Sequence, residues 1–115
     1  TYIIENGITK MIPYFHTVGP DTTSTYTQSN NIVDLTWSGA SGTHTFIMPP
    51  ASEIPYRVIR ITNNSTVTAN DKVDVTAAAG DTIDGVAYYR LNKPYNGVAI
   101  WSDGTNWTVI QAKST

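Results

Sequence analysis

AAGDTIDGVAYYRLNKPYNGVAIWSDGTNWTVIQ, running from Ala78 to Gln111, is punctuated by the dipeptides Asp84-Gly85 and Asp103-Gly104. Glycine reaches positive φ without steric cost and aspartate tolerates the left-handed region, so each dipeptide marks a hairpin turn. Around them lie Ala87–Leu91, Gly97–Ser102 and Trp107–Gln111, segments rich in the β-branched and aromatic side chains that suit a pleated sheet. The stretch therefore predicts two closing hairpins of an all-β domain.

Upstream, the alternation continues. Asn31–Trp37 sets Val33, Leu35 and Trp37 on one face against Asp34 and Thr36 on the other. After a turn over Gly39–Gly42, Thr43–Met48 aligns His44, Phe46 and Met48, and Pro49-Pro50 ends that strand because neither residue donates to a ladder. Tyr56–Thr62 sets Ile59 and Ile61 against Tyr56, Val58 and Arg60; Lys72–Thr76 offers Val73 and Val75. Ile8–Phe15 alternates until Pro13 demotes its end, and Val18–Gln28 reads as a loop with one short strand. No window sustains a 3.6-residue apolar period. About eight short strands at regular spacing predict a sandwich or jelly roll.

A chain of 115 residues makes one domain, 1–115, with residues 1–7 read as a connection to an upstream stalk. Charged residues are only 14%, with Thr, Ser and Asn in their place. Such a surface is either a Thr-rich β exterior or one partly covered by copies of itself. The Tyr56, Val58 and Arg60 face adds to the second reading, since a second apolar face on a sandwich strand needs a cover. These three residues are candidates for a subunit interface. A net charge of −2, with seven scattered Lys and Arg, argues against nucleic acid. No apolar stretch is long enough to span a bilayer. With no cysteine, disulfide and thiol chemistry are excluded.

The order of features from Gly42 to Ile110 resembles the carboxy-terminal knob domains of bacteriophage tail needles, tail fibres and tailspikes. The resemblance lies in the Pro49–Ser52 corner, the Thr62–Ser65 turn, Val73-Asp74-Val75, Gly80–Gly85 (GDTIDG), the strand ending at Leu91, and Ser102–Trp107 (SDGTNW). Two departures stand out: His44 replaces a β-branched or aliphatic residue, and Trp101 is bulky for its place before the turn. The resemblance implies a tumour-necrosis-factor-like jelly roll of antiparallel strands, a homotrimer, and a place at the virion tail tip, serving host-surface attachment, fibre-tip trimerisation or both. The rival reading is a carbohydrate-binding module appended to a glycan-degrading tailspike or other enzyme.

Chemistry offers few candidates. There is no nucleophile elbow and no HExxH spacing, and His16 and His44 fall in different segments. His44, on an apolar face, reads as a packed, hydrogen-bonded histidine. Asp71, Asp74, Asp81 and Asp84 read as turn residues bonding backbone amides rather than as a carboxylate pair or a calcium site. The domain thus reads as non-enzymatic, with no catalytic residue, metal or cofactor. Tyr88, Arg90 and Trp101 are the candidates for contact with a host glycan or small ligand, because aromatic faces stack on sugar rings and arginine forks bind anionic groups.

Overall fold

In the computed structural model the described residues are 2–5, 8–11, 14–26, 31–63, 71–93 and 95–113, and they form an all-β domain. The strands are β1 (Tyr2–Glu5), β2 (Ile8–Met11), β3 (Tyr14–Val18), β4 (Thr23–Thr25), β5 (Ile32–Trp37), β6 (Gly42–Ile47), β7 (Val58–Asn63), β8 (Asp71–Thr76), β9 (Tyr88–Leu91), β10 (Gly97–Ser102) and β11 (Trp107–Lys113). A 3₁₀ turn, Ala51–Glu53, follows Pro50. β1, which lies within the segment read as a stalk connection, pairs among the described residues with β2. The other nine strands make a five-stranded sheet, ordered β11-β10-β7-β5-β3, and a four-stranded sheet, ordered β4-β6-β8-β9.

The expectation of an antiparallel strand set is corrected. From β3 to β8 the chain alternates between the two sheets, so each strand pairs in parallel with the one two places on: β3 with β5, β5 with β7, β4 with β6, β6 with β8. Parallel neighbours need a crossover, and here the crossover is a strand of the opposite sheet. Only then does the chain turn back, with β9 against β8, and β10 between β7 and β11, all antiparallel. The Gly39–Gly42 turn joins two sheets instead of two neighbours. Gly42 is required there: a Cβ would lie 2.6 Å from Pro20 Cβ.

The inward alternation is as expected. Val33 and Leu35, Ile59 and Ile61, and Phe46 with Trp107 meet in one buried cluster drawn from both sheets. Each such side chain contributes roughly 1.5–3 kcal/mol through the apolar surface it removes from water. Two segments differ from expectation. The Ile8–Phe15 strand is two strands, β2 and β3, with Pro13 and Ile12 between them outside the described residues. Tyr56 has φ of 65° and precedes β7, so it lies in a turn and shares no strand face with Val58.

Of the two closing hairpins, β10–β11 is one, pinned by Asp103 Oδ1, which accepts from the amides of Thr105 (2.8 Å) and Asn106 (2.7 Å). Those amides hold the Asp103 carboxyl below the usual carboxylate range. The other shrinks to a single bridge, Ile83 to Val86, around Asp84 (φ 50°) and Gly85 (φ 81°). Positive φ at both positions is what a type I′ turn demands. Asp84 Oδ1 then accepts from the Val109 amide at 2.9 Å, tying the turn to β11.

Candidate functional site

Trp101 and the Tyr56 face converge on the outer side of the five-stranded sheet. Trp101 on β10 lies opposite Val58 on β7, and the exposed Tyr56 ring packs 6.2 Å from the indole. The Tyr56 turn is held there by its own amide, which donates to the Ser102 carbonyl at 2.7 Å. In the next row across the sheet, Arg60 on β7 and Gln111 on β11 flank Ala99 on β10. Arg60 Nη1 donates to Gln111 Oε1 at 2.9 Å, a bridge that roofs the alanine and leaves it 1% exposed. A register shift at Ala99/Ile100 leaves Ile110 unpaired and exposed. The result is a depression of about 440 Å³ with a floor of Gly97 and Ala99 and walls of Arg60, Thr62 and Gln111. Arg60 is neighboured by a neutral amide, so its fork keeps donors for an anionic or hydroxylic partner.

Tyr88 and Arg90 lie elsewhere, on β9 at the edge of the four-stranded sheet. They share an outward face, as expected, with Leu91 buried behind. Arg90 grips the largely buried Asp74 carboxylate through Nε (2.8 Å) and Nη2 (3.0 Å), and its guanidinium sits 5.3 Å from the Tyr88 ring centroid. Its charge is met inside the molecule. Trp101, grouped with this pair in the sequence reading, belongs instead with Tyr56, Val58 and Arg60.

The aspartates divide. Asp81 Oδ2 accepts from the Ala51 amide (2.9 Å) and Asp84 from Val109, so both hold backbone as expected. Asp71 and Asp74 do not sit in turns: Asp71 opens β8, and Asp74, within it, pairs with Arg90. Among the described residues no three His, Asp or Glu gather closely enough to hold a metal ion.

A second site went unread in the sequence. His44, 2% exposed, is packed and hydrogen-bonded as expected, but its partners come from β4 and the residue just before it. Nδ1 lies 2.7 Å from Thr22 Oγ1, and Nε2 lies 2.7 Å from Ser24 Oγ. His16, on the edge strand of the other sheet, faces it with ring centroids 6.4 Å apart. His16 itself stacks on Tyr14, whose hydroxyl is 3.2 Å from its Nδ1. His16, Ser24, Ser38 and His44 line a cavity of about 390 Å³ between the edge strands β3 and β4. Burial, and then the neighbouring His16, push the His44 imidazole below its ordinary pKa. The His16–His44 contact crosses between the sheets and the hydroxyl contacts join the parallel neighbours β4 and β6, so no local spacing announces them.

No protein-family model matches the chain. No curated protein matches it either.

Proposed function

We propose that this domain is the knob of a phage tail needle, tail fibre or tailspike, a homotrimer at the virion tail tip that attaches the particle to a glycan of the host surface. The attachment part rests chiefly on one observation: the Trp101–Tyr56 ring pair beside the Arg60–Gln111 depression. Flat apolar rings suit the faces of a sugar, and an arginine fork suits its hydroxyl, carboxylate or phosphate groups. Arg90 and Tyr88 are weaker partners in this reading, because Asp74 already meets the guanidinium. The trimer part is supported by the low charge, with Thr, Ser and Asn standing in the place of charged side chains. Three equal sites would raise avidity well above that of one weak contact.

Alanine variants of Trp101 and Arg60 test the binding face. Each should cut adsorption to host cells by about tenfold or more, the effect of a lost hot-spot contact, while oligomer mass and melting temperature stay close to wild type. Arg90→Ala should leave adsorption unchanged. Variants that lose the oligomer instead would make this face a subunit contact and overturn the ligand assignment. A chain that binds glycan as a monomer would point to the appended carbohydrate-binding module.

A further inference from the structure

We infer that Ser24 and His44 form a nucleophile–base pair at the β3–β4 edge, competent to take the acyl group of a small carboxylic ester. This activity is independent of the attachment reading and uses none of its residues. The inference comes from following the protons. Thr22 Oγ1 donates its only hydrogen to the Gly19 carbonyl at 2.8 Å. Toward His44 it can therefore only accept, so Nδ1 carries the imidazole proton. That leaves a lone pair on Nε2, and Ser24 Oγ, 2.7 Å away, must be its donor. The hydroxyl proton already points along the path a general base would draw it, at the distance such pairs require.

The surroundings suit this chemistry. Ser24 opens into the cavity of about 390 Å³, room for a short acyl group but not for a folded chain. His16 lines the same cavity, with the Tyr14 hydroxyl 3.2 Å from its Nδ1; in the tautomer that accepts from Tyr14, its Nε2–H would be a donor for a developing oxyanion. Thr22 orients the imidazole as a positioning residue. Being neutral, it does not stabilise the imidazolium as a carboxylate would, which restricts the pair to esters, whose leaving groups depart more readily than amines. The lowered pKa of His44 keeps the base form present into mildly acidic solution.

In the step itself, Ser24 Oγ bonds to the ester carbonyl carbon while its proton passes to His44 Nε2, and the carbonyl π pair moves onto oxygen. Collapse breaks the bond to the alkoxide, which leaves with the proton from Nε2. Water repeats the sequence on the acyl-serine and releases the carboxylic acid. With a neutral hydroxyl where carboxylate-backed triads place a charge to stabilise the imidazolium, acylation here is slow and is best read as a stoichiometric adduct.

The test incubates the whole chain at neutral pH with an alkyl fluorophosphonate and, separately, with p-nitrophenyl acetate, then locates the adduct by peptide mass spectrometry. The expected result is modification of folded protein at Ser24, absent in Ser24→Ala. Thr22→Val should slow the labelling by at least about tenfold and move its pH profile, since the proton is no longer held on Nδ1; a purely structural threonine would lower the melting temperature and leave the profile in place. Wild-type protein that stays unlabelled at Ser24, or is labelled no faster there than at other serines, overturns the inference. Because that readout is on the wild type, a variant that fails to fold does not blunt it, and adsorption through Trp101 stands or falls separately.

Discussion

His44 has both ring nitrogens engaged by hydroxyl groups and almost no contact with solvent, so its protonation state is coupled to folding. Burial, then His16, lowers its pKa in the folded protein. The unfolded chain, with the ordinary value of 6.5, therefore binds the proton more readily than the native state. Stability rises with pH wherever the unfolded state holds more protons. The contribution of neutral His44 is thus complete above pH 6.5 and is lost as pH falls below that value toward the folded pKa. Melting curves at pH 7.5 and about pH 5.5 should show a drop on acidification that is smaller in His44→Gln. Parallel drops in the two proteins would remove His44 as the cause. The same residue marks a limit of sequence reading. Its burial followed from alternation with Phe46 and Met48, but its partners did not, because Ser24 lies in a strand only three residues long and Thr22 just before it.

At the scale of elements, turns and faces were legible and strand direction was not. Gly97–Ser102 is the strand β10 as read, and the inward residues of β5, β6 and β7 fall on the expected side. Parallel pairing was hidden because alternation with period two is the same for a half-buried strand in either direction. Tyr56 was misplaced for a local reason: its positive φ breaks the alternation that Ile59 and Ile61 suggest. Trp101 was grouped with Tyr88 and Arg90 for its chemistry, an aromatic face beside an arginine fork, whereas register alone assigns it to Val58. The Asp84-Gly85 turn gives a test at this scale. Asp84 combines a positive φ with a bond to the Val109 amide. Asp84→Ala loses the bond and places a methyl group in the left-handed region, at a cost of about 1–2 kcal/mol or more. Asp84→Asn keeps an acceptor and tolerates that conformation, so urea unfolding should rank it clearly above the alanine variant.

For the whole molecule, the proposal of a trimer has a direct measure. Light scattering on the purified chain should return about three times the 12.5 kDa chain mass at micromolar concentration. Val58→Asp should leave that mass unchanged, because the Trp101 face is read as open to ligand; dissociation, the outcome when a covered face receives an unpaired charge, would make it a subunit contact instead. The winding of the chain has a further consequence, for the order in which the protein comes into being. By Leu91 every strand of the four-stranded sheet has been made, while the five-stranded sheet still lacks β10 and β11. Val98, Ile100 and Trp107 arrive last in the cluster, with the Trp107 indole donating to the Pro49 carbonyl from far along the chain. A nascent chain would therefore leave the ribosome with an open, wet interior until its final strands emerge. Closure waits for β10 and β11 to be made, and a chain cut before Trp107 would keep that interior open rather than form a smaller domain.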